Sequence, residues 1–309
     1  YEEFGRIDKE NMKDYSRPSV IWGIDGDWMV NIIPAGVPFY PTDHCGVLRI
    51  KTEKILPEYM MYALQAEGEY ERFSRNNRAS AQRIRSLVVQ TPETKIQKNI
   101  IDELKALDDK INGQNAEIEK YENSIRTKFD QIFHLEEFIS DGVFSKYEGY
   151  SVEDLCIDGR GRVINQQYIE NHKGPYPVYS SQTTNDGIFG SIDTFDFDGE
   201  YITWTTDGAK AGTVFYRNGK FNCTNVCGTL KAKNDKVNMR YLAYLLNRIA
   251  YKFVSRVGNN KLMNDAMKKI VVPVPKRQLQ DEFADFVQSV EKSKFECIGK
   301  KEKFEIEKD

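Results

Sequence analysis

Two polar segments of the sequence are rich in the side chains that proteins use to read base edges in duplex DNA. Arginine pairs with guanine, asparagine and glutamine pair with adenine, and lysine and serine contact phosphate. The candidate base-reading residues are Arg75, Asn76, Asn77, Arg78, Gln82 and Arg83 in the segment 74–83, and Arg256, Asn259, Asn260 and Lys261 in the segment 255–261. Such residues are individually common in loops, so the prediction depends on the two segments lying at equivalent places in the chain.

Two further segments stand beside the turn signals Asp186-Gly187 and Asp207-Gly208. Asp-Gly pairs favour tight turns because both residues tolerate a positive φ. The expected DNA-contacting residues are Ser180, Ser181, Gln182, Thr183 and Asn185 before the first turn, and Thr205, Thr206 and Lys210 around the second.

Catalytic motifs are absent from the sequence. It contains no phosphate loop of the form G-x-x-x-x-G-K-[ST] and no Asn-Pro-Pro-Tyr-like tetrapeptide of an amino-methyltransferase. The three histidines, His44, His134 and His172, do not stand in a known hydrolase context. We therefore expect no catalytic residue in this chain.

Metal-ligating patterns are equally weak. The acidic residues at 193, 196, 198 and 200 alternate with Phe195 and Phe197, which is typical of the solvent face of a strand. Cys223 and Cys227 lack the second pair that a zinc site normally has. We expect neither a metal nor a cofactor in the chain, and the five irregularly spaced cysteines favour a reducing cytoplasm.

Charge is distributed unevenly along the chain. The formal net charge is −3 over 309 residues, yet residues 207–272 hold 13 Lys and Arg against three acids. A basic region inside a near-neutral chain is typical of a phosphate-binding face, although a solvated Lys-rich surface is the alternative. No run approaches the roughly 18 apolar residues of a membrane helix, so no membrane contact is expected.

An internal repeat must position these residues. An offset of 182 places Trp22 on Trp204, Asp25-Gly26 on Asp207-Gly208, and Cys45-Gly46 on Cys227-Gly228, and an offset of 183 then places Gln97 on Gln280. Each copy changes from short β-type runs to a helix, over residues 57–67 and 239–253. A polar loop, a short strand (87–89 or 270–272), a proline and a long helix follow. The two Arg- and Asn-rich segments occupy the same place in the two copies.

The long helices are predicted over residues 93–133 and from residue 276 onward. Apolar residues recur every seven positions, which is typical of a coiled coil, and a 40-residue helix would span about 60 Å. We expect the helices to pair antiparallel as a spacer, with Gln114 tuning their register. The expected pairing residues are Leu104, Leu107, Ile111, Ile118, Ile125, Phe283, Phe286 and Val290.

Several segments of the second copy resemble a target recognition domain. They are residues 176–181, Gly187-Ile188-Phe189-Gly190, residues 197–202 and Gly212-Thr213-Val214. The strand, proline, glutamine and long helix that end each copy resemble the conserved helical region of the same family. The chain is thereby similar to the DNA specificity subunit of type I restriction–modification systems.

The resemblance implies a non-catalytic subunit whose two recognition domains each read half of a split, asymmetric DNA site. It implies as partners double-stranded DNA, two methyltransferase (modification) subunits, which would carry S-adenosylmethionine, and restriction/translocase subunits. The predicted fold is α+β: two mixed α/β target recognition domains with β-rich cores, separated by a long antiparallel two-helix coiled coil. The predicted domains are residues 1–92, 93–140, 141–275 and 276–309.

The first recognition domain is expected to be N-terminally incomplete, because the counterpart of residues 146–182 is absent and the sequence begins with Tyr1. Two alternatives stay open. One is the recognition subunit of a related two-component, type IIB-like restriction enzyme, which would differ only in its partner. The other is a coiled-coil scaffold protein that joins other proteins and does not bind DNA.

Overall fold

A computed structural model of the protein describes residues 16–133 and 147–308. The chain divides into two compact units, Tyr1–Ile118 with Glu296–Asp309 and Glu119–Phe295. The predicted boundary between residues 140 and 141 lies outside the described residues, and the other domain boundaries stay predictions.

The first unit is built on a three-stranded antiparallel sheet in the order β2-β1-β3. Its elements are β1 (Ser19–Gly23), β2 (Val30–Ile33), β3 (Cys45–Leu48), α1 (Pro57–Tyr70), α2 (Ala81–Ser86) and the start of α3 (Thr94–Phe133). Pro57 opens α1, where its missing N–H costs nothing, and Ser80 caps α2. Helix α1 packs on β1 and β2, and Val20, Trp22 and Leu64 form the centre of the core.

The second unit contains a six-stranded sheet in the order β5-β10-β8-β9-β6-β7, in which only β6 and β9 run parallel. A two-stranded ribbon pairs β11 with β4. The strands are β4 (Gly149–Ser151), β5 (Cys156–Arg160), β6 (Lys173–Tyr179), β7 (Ile188–Ile192), β8 (Phe197–Thr205), β9 (Val214–Cys223), β10 (Cys227–Ala232) and β11 (Val271–Pro273). The helices are α4 (Val152–Leu155), α5 (Gln166–Asn171), α6 (Met239–Ile249), α7 (Asn264–Lys268) and α8 (Arg277–Lys308), with 3-10 turns at Asn185–Gly187 and Ala250–Phe253.

The repeat is visible in equivalent contacts within the two units. The Trp22 indole donates to the Ala79 carbonyl at 3.0 Å, and the Trp204 indole donates to the Leu262 carbonyl at 2.8 Å. A Cβ on Gly46 would lie 2.1 Å from the Trp22 ring, and one on Gly228 would lie 2.2 Å from the Trp204 ring. Each glycine therefore makes room for its tryptophan, which explains why both pairs repeat.

A buried glutamine connects each long helix to the start of an earlier helix, α1 in the first unit and α6 in the second. Gln97 accepts from the Leu56 N–H at 2.8 Å and donates to the Lys54 and Pro92 carbonyls at 2.7 Å each. Gln280 accepts from the Asn238 N–H at 2.8 Å and donates to the Lys236 and Pro275 carbonyls at 3.2 and 2.7 Å. Both glutamines are fully buried, so we call them the clasp glutamines.

One predicted strand is wrong. Leu87-Val88-Val89 is not a strand, and Val88 is 82% exposed. The equivalent β11 exists because Val271 and Val272 pair with β4, and a strand needs such a neighbour. The described residues of the first copy provide no partner strand at this place, so the segment remains extended loop.

The long helices α3 and α8 run antiparallel within each unit. In the first unit Lys308 binds Asp108 at 2.6 Å, and the Cys297 thiol donates to Gln114 Oε1 at 3.0 Å. In the second unit Lys294 binds Glu122 at 2.5 Å and Lys128 binds Glu282 at 2.8 Å. Ile125, Phe283 and Val290 are buried, whereas the remaining predicted pairing residues are half-buried: Leu104, Leu107, Ile111, Ile118 and Phe286.

The predicted combination of helices and sheets with two long helices is confirmed. Aromatic packing stabilises the helices in the second unit, where Phe129, Phe133, Tyr241 and Phe283 have ring centroids 4.7 to 5.9 Å apart. None of the described helices is long and apolar enough to cross a membrane.

Candidate nucleic acid interface

The second copy brings two of the predicted segments together. Residues 206–212 and 254–262 form what we call the second loop pair. The Leu262 N–H donates to the Thr206 carbonyl at 3.0 Å, and the Gly208 N–H donates to the Asn260 carbonyl at 3.1 Å. Lys261 lies 3.8 Å from the Asp207 carboxylate. Backbone hydrogen bonds and an ion pair thus hold the two segments side by side.

The first copy contains the same arrangement, which we call the first loop pair (residues 24–29 with 74–79). The Ala79 N–H donates to the Ile24 carbonyl at 2.9 Å, and Arg78 lies 3.7 Å from the Asp25 carboxylate. Asp25 and Asp207 are equivalent at the offset of 182, and Arg78 and Lys261 at the offset of 183. The same carboxylate–cation contact therefore orients the loop in each copy.

Most of the predicted base-reading residues of the loop pairs point to solvent. Arg75, Asn76 and Arg78 are exposed in the first loop pair. In the second, Asn260 is half-buried, whereas the other residues are exposed: Lys210, Arg256, Asn259 and Lys261. These exposed groups combine guanine-, adenine- and phosphate-binding chemistry on a frame of backbone hydrogen bonds.

Asn77 and Arg83 are engaged within the first unit. The Asn77 amide donates to the Glu71 and Arg72 carbonyls at 2.9 and 3.1 Å and accepts from Arg83. The Arg83 guanidinium also lies 4.6 Å from the centre of the Phe73 ring. Gln82 and Arg83 belong to α2, not to a loop, because Ser80 caps that helix. Gln82 remains exposed, whereas Asn77 and Arg83 shape the loop.

Thr205 and Thr206 are buried, with 1% and 0% of their surface exposed. The Thr205 hydroxyl donates to the Lys210 carbonyl at 2.5 Å and accepts from the Thr213 N–H at 3.2 Å. These two threonines cannot touch DNA in this conformation, and Thr205 instead braces the turn that carries Lys210. Thr205 is buried because it ends a strand in the middle of the sheet, and this position favours burial despite the polar hydroxyl.

Residues 180–187 form the β6–β7 loop, which folds back on β9. The Ser180 N–H donates to the Gly187 carbonyl at 3.1 Å, and the Gln182 amide donates to the Ile188 carbonyl. The residues Ser180, Ser181, Gln182 and Thr183 are half-buried, and Asn185 is exposed. The loop packs on Arg217, which is buried in β9 although nothing in the sequence pattern of this strand predicts a buried arginine.

The basic region of the sequence does not form one surface. Arg240 pairs with Glu291, and Arg248 pairs with Asp130 at 2.7 Å, so both cations bind the long helices. Arg217 is buried, with 4% of its surface exposed. The charge available to a phosphate backbone is therefore smaller than the sequence count, and part of it lies on the second loop pair.

The acidic segment and the cysteines are the other candidates for chemistry in the second unit. No group of three His, Cys, Asp or Glu side chains in residues 16–133 and 147–308 could hold a metal ion. In the acidic segment, Asp196 binds Arg162 at 2.8 Å and Glu200 accepts from the Tyr216 hydroxyl. Burial raises the pKa of the Cys156 thiol to about 12. A hydrogen bond with Cys227, together with burial, raises the pKa of the Cys223 thiol. Neither thiol is therefore a ready nucleophile.

A known protein family matches most of the chain. Residues 5–120 and 145–308 match the family described as type I restriction modification DNA specificity domain. The match confirms the resemblance inferred from the sequence.

Relatives from Mycoplasma pneumoniae align with about half of the chain. One, whose name describes a type I specificity subunit N-terminus, is 48% identical over 44% of this chain and 73% of that protein. The specificity subunit of type I restriction enzyme MpnII is 48% identical over 47% of this chain and 44% of that protein. In two other relatives the aligned part is 59% and 54% of the relative's length. The chain thus spans about half the length of most of these relatives.

The fold is similar to that of a solved protein. The crystal structure of the S subunit of a type I restriction-modification system from M. genitalium aligns with a TM-score of 0.57. The alignment covers 95% of this chain and 81% of that chain at 16% identity. At this identity the likeness concerns the fold.

Proposed function

Because the chain belongs to the family of type I restriction modification DNA specificity domains, we propose that it reads a bipartite, asymmetric site in duplex DNA, one half with each loop pair. The observation that carries the proposal is the repeated ion pair, Asp25 with Arg78 and Asp207 with Lys261, which orients an Arg- and Asn-bearing loop in each copy. Two similar but non-identical readers suit a site with two different halves.

The chemistry of the loop pairs supports recognition without catalysis. Exposed Arg75 and Arg256 can form paired hydrogen bonds with guanine, and exposed Asn76 and Asn259 can do so with adenine. Lys210 and Lys261 can contact phosphate. The described part of the chain contains no cluster of His, Cys, Asp and Glu that could hold a metal ion. We assign base modification and cleavage to partner subunits, as part of the same proposal.

The partners we propose are two methyltransferase subunits, which would carry S-adenosylmethionine, and restriction subunits that join them. The antiparallel helices α3 and α8 are the proposed spacer and docking element. Their paired faces are closed by contacts such as Lys128 with Glu282, which leaves their outer faces for partners.

The test is selection from a random duplex library by the chain bound to its methyltransferase subunits. We expect enrichment of two short motifs separated by a fixed unspecified gap. Binding should also weaken with salt, because each neutralised phosphate contributes about −0.9 to the slope of log affinity against log salt concentration.

The outcomes separate the proposal from its alternatives. A coiled-coil scaffold would enrich no motif and form no salt-sensitive complex, which would overturn the proposal. Cleavage on both sides of the selected site by the native complex would instead identify a type IIB-like enzyme and keep the proposed reading of DNA.

A further inference from the structure

The β6–β7 loop is organised by one buried arginine on the neighbouring strand β9. The Arg217 Nη1 group donates to Asp186 Oδ2 at 2.5 Å, and Nη2 donates to the Asp186 carbonyl at 2.7 Å. Its Nε group donates to the Thr203 hydroxyl at 3.2 Å, which connects it to the central strand β8. Arg217 is 4% exposed, whereas the Asp186 side chain is 64% exposed.

The same guanidinium also holds the start of the loop. It lies 3.7 Å from the centre of the Tyr179 ring and 4.5 Å from the centre of the Phe215 ring. Tyr179 is the last residue of β6, and Asp186 lies at the far end of the loop. Arg217 therefore contacts both ends of the segment that contains Ser180 to Asn185.

The backbone of the loop needs such support. Asn185, Asp186 and Gly187 have φ angles of 49°, 50° and 77°, all in the left-handed region. Asn and Asp tolerate this region better than other residues with a Cβ, but two of them in succession are uncommon, and nearby contacts help to hold them there. A Cβ on Gly187 would lie 3.2 Å from Arg217 Nη2, so glycine also lets the backbone approach the guanidinium.

This left-handed turn determines which residues of the loop are exposed to solvent. Asn185 is exposed at the turn, whereas Gly187 is buried beneath it. The direction of the Asn185 amide therefore depends on the contacts that hold its neighbour Asp186. At the repeat offset of 182 the first copy has Ala35, which cannot make these contacts.

We propose that Arg217 is a positioning residue that fixes the β6–β7 loop in the conformation that reads bases, so that specificity for one half-site depends on a side chain that does not itself touch DNA. The inference rests on the proposed function. It concerns how base specificity is set in the second copy alone. Because a guanidinium forms several hydrogen bonds in fixed directions, a lysine at 217 cannot replace it.

The first variant is Asp186→Ala, which removes a mostly exposed side chain. Because it also leaves the buried Arg217 without its carboxylate, its circular dichroism spectrum and urea unfolding are compared with those of the wild type. Arg217→Lys keeps the charge but cannot span Asp186, Thr203 and the Tyr179 ring together. Asp198→Ala is the matched control, since it removes an exposed carboxylate from β8 outside the loop. All variants are studied as the complex with methyltransferase subunits.

The readout is the base preference at each position of both half-sites, measured by library selection. For Asp186→Ala and Arg217→Lys we expect mismatch penalties of about tenfold to fall to about twofold at positions of one half-site only. The other half-site should keep its base preferences in both variants. Arg217→Lys preserves the charge, so it should also keep the wild-type affinity for unrelated DNA and its salt dependence. Asp198→Ala should preserve every preference.

Two results would overturn the inference. Wild-type preferences in Asp186→Ala would show that the loop does not need the contact between Asp186 and Arg217. Parallel weakening of both half-sites and of unrelated DNA would show that Arg217 serves only the stability of the fold. If the wild-type complex selects no bipartite motif, the proposed function has failed, and this outcome is distinct from both.

Discussion

The two loop pairs share a frame and differ in the part that faces solvent. Each is held by a buried tryptophan that donates to a loop carbonyl, Trp22 to Ala79 and Trp204 to Leu262, and each has the same carboxylate–cation contact. The segment 74–79 closes with a bridge between Ser74 and Asn77, with two residues between them, whereas the segment 254–262 closes with a bridge between Ser255 and Lys261, with five residues between them. The variation lies where backbone hydrogen bonds and buried side chains do not constrain it.

The longer loop of the second copy is also more open. Phe73 is 6% exposed and lies under the Arg83 guanidinium, whereas Phe253 is 46% exposed. At the tip of the second loop, Val257 is 92% exposed beside Gly258, which has a φ of 76°. Apolar side chains of the first loop are therefore packed in the core, whereas apolar side chains of the second loop are exposed to solvent. One frame can thus present two different reading surfaces.

The largest predicted effect tests whether the frame is shared. Gln280→Leu leaves the Asn238 N–H and the Lys236 and Pro275 carbonyls without partners, at about 1–3 kcal/mol for each buried group. We expect a net loss of about 3 kcal/mol, since the leucine recovers some apolar burial. Gln97→Leu should cost a similar amount. The measurement is urea unfolding followed by circular dichroism.

The matched control is Gln288→Leu, because Gln288 is exposed on the same helix α8. It should change stability by less than about 0.5 kcal/mol. A small effect at only one of the two clasp glutamines would show that the copies are not equivalent at this contact.

A second test concerns the glycine beside each tryptophan. Gly228→Ala puts a methyl group 2.2 Å from Trp204, and Gly46→Ala puts one 2.1 Å from Trp22. The ring or the strand must move, and overpacking of this kind costs about 2 kcal/mol. Both variants should lower the melting temperature and shift tryptophan fluorescence. Tolerance at one glycine would mean that its tryptophan can move, which would contradict the idea of a rigid common frame.

The difference between frame and surface also explains which features could be predicted from the sequence. The repeat, the long helices and the position of the loop pairs follow from patterns that recur at offsets of 182 and 183. The burial of Thr205 and Thr206 does not follow from the sequence, because residue type alone does not show that β8 lies in the middle of a sheet. Residues 87–89 do not form a strand because they lack a partner strand, and no local sequence pattern shows whether such a partner is present.

Side-chain partnerships were equally invisible. Asn77 and Arg83 have base-reading chemistry, yet they bind each other and the loop backbone. The cations of α6 add to the count of positive charge, yet Arg248 binds Asp130, which is 118 residues away. Arg217 was missed for the same reason, since its contacts come from Asp186 and Thr203 through the tertiary fold.

A third prediction separates the two readers. Arg256→Ala should relax base preference in one half-site, and Arg75→Ala should relax it in the other, because each arginine is exposed on a different loop pair. Loss of a paired hydrogen bond to guanine costs about 1–3 kcal/mol, or roughly tenfold in discrimination. Asn260→Ala should affect the same half-site as Arg256→Ala. Library selection with each variant complex measures these changes, and equal weakening of both half-sites would contradict the assignment of one loop pair to each half.

The smallest predicted effect concerns the helices. Gly113 in α3 and Gly299 in α8 are exposed, and an added Cβ at either would meet nothing within 4 Å. Glycine within a helix is less favourable than alanine by about 0.5–1 kcal/mol, so Gly113→Ala and Gly299→Ala should each stabilise the protein by that amount. Their effects should add, because neither site requires a neighbour to move. Loss of stability in either variant would show that its glycine serves a contact in the helix pair, and the two helices would then differ in a way that their seven-residue pattern does not indicate.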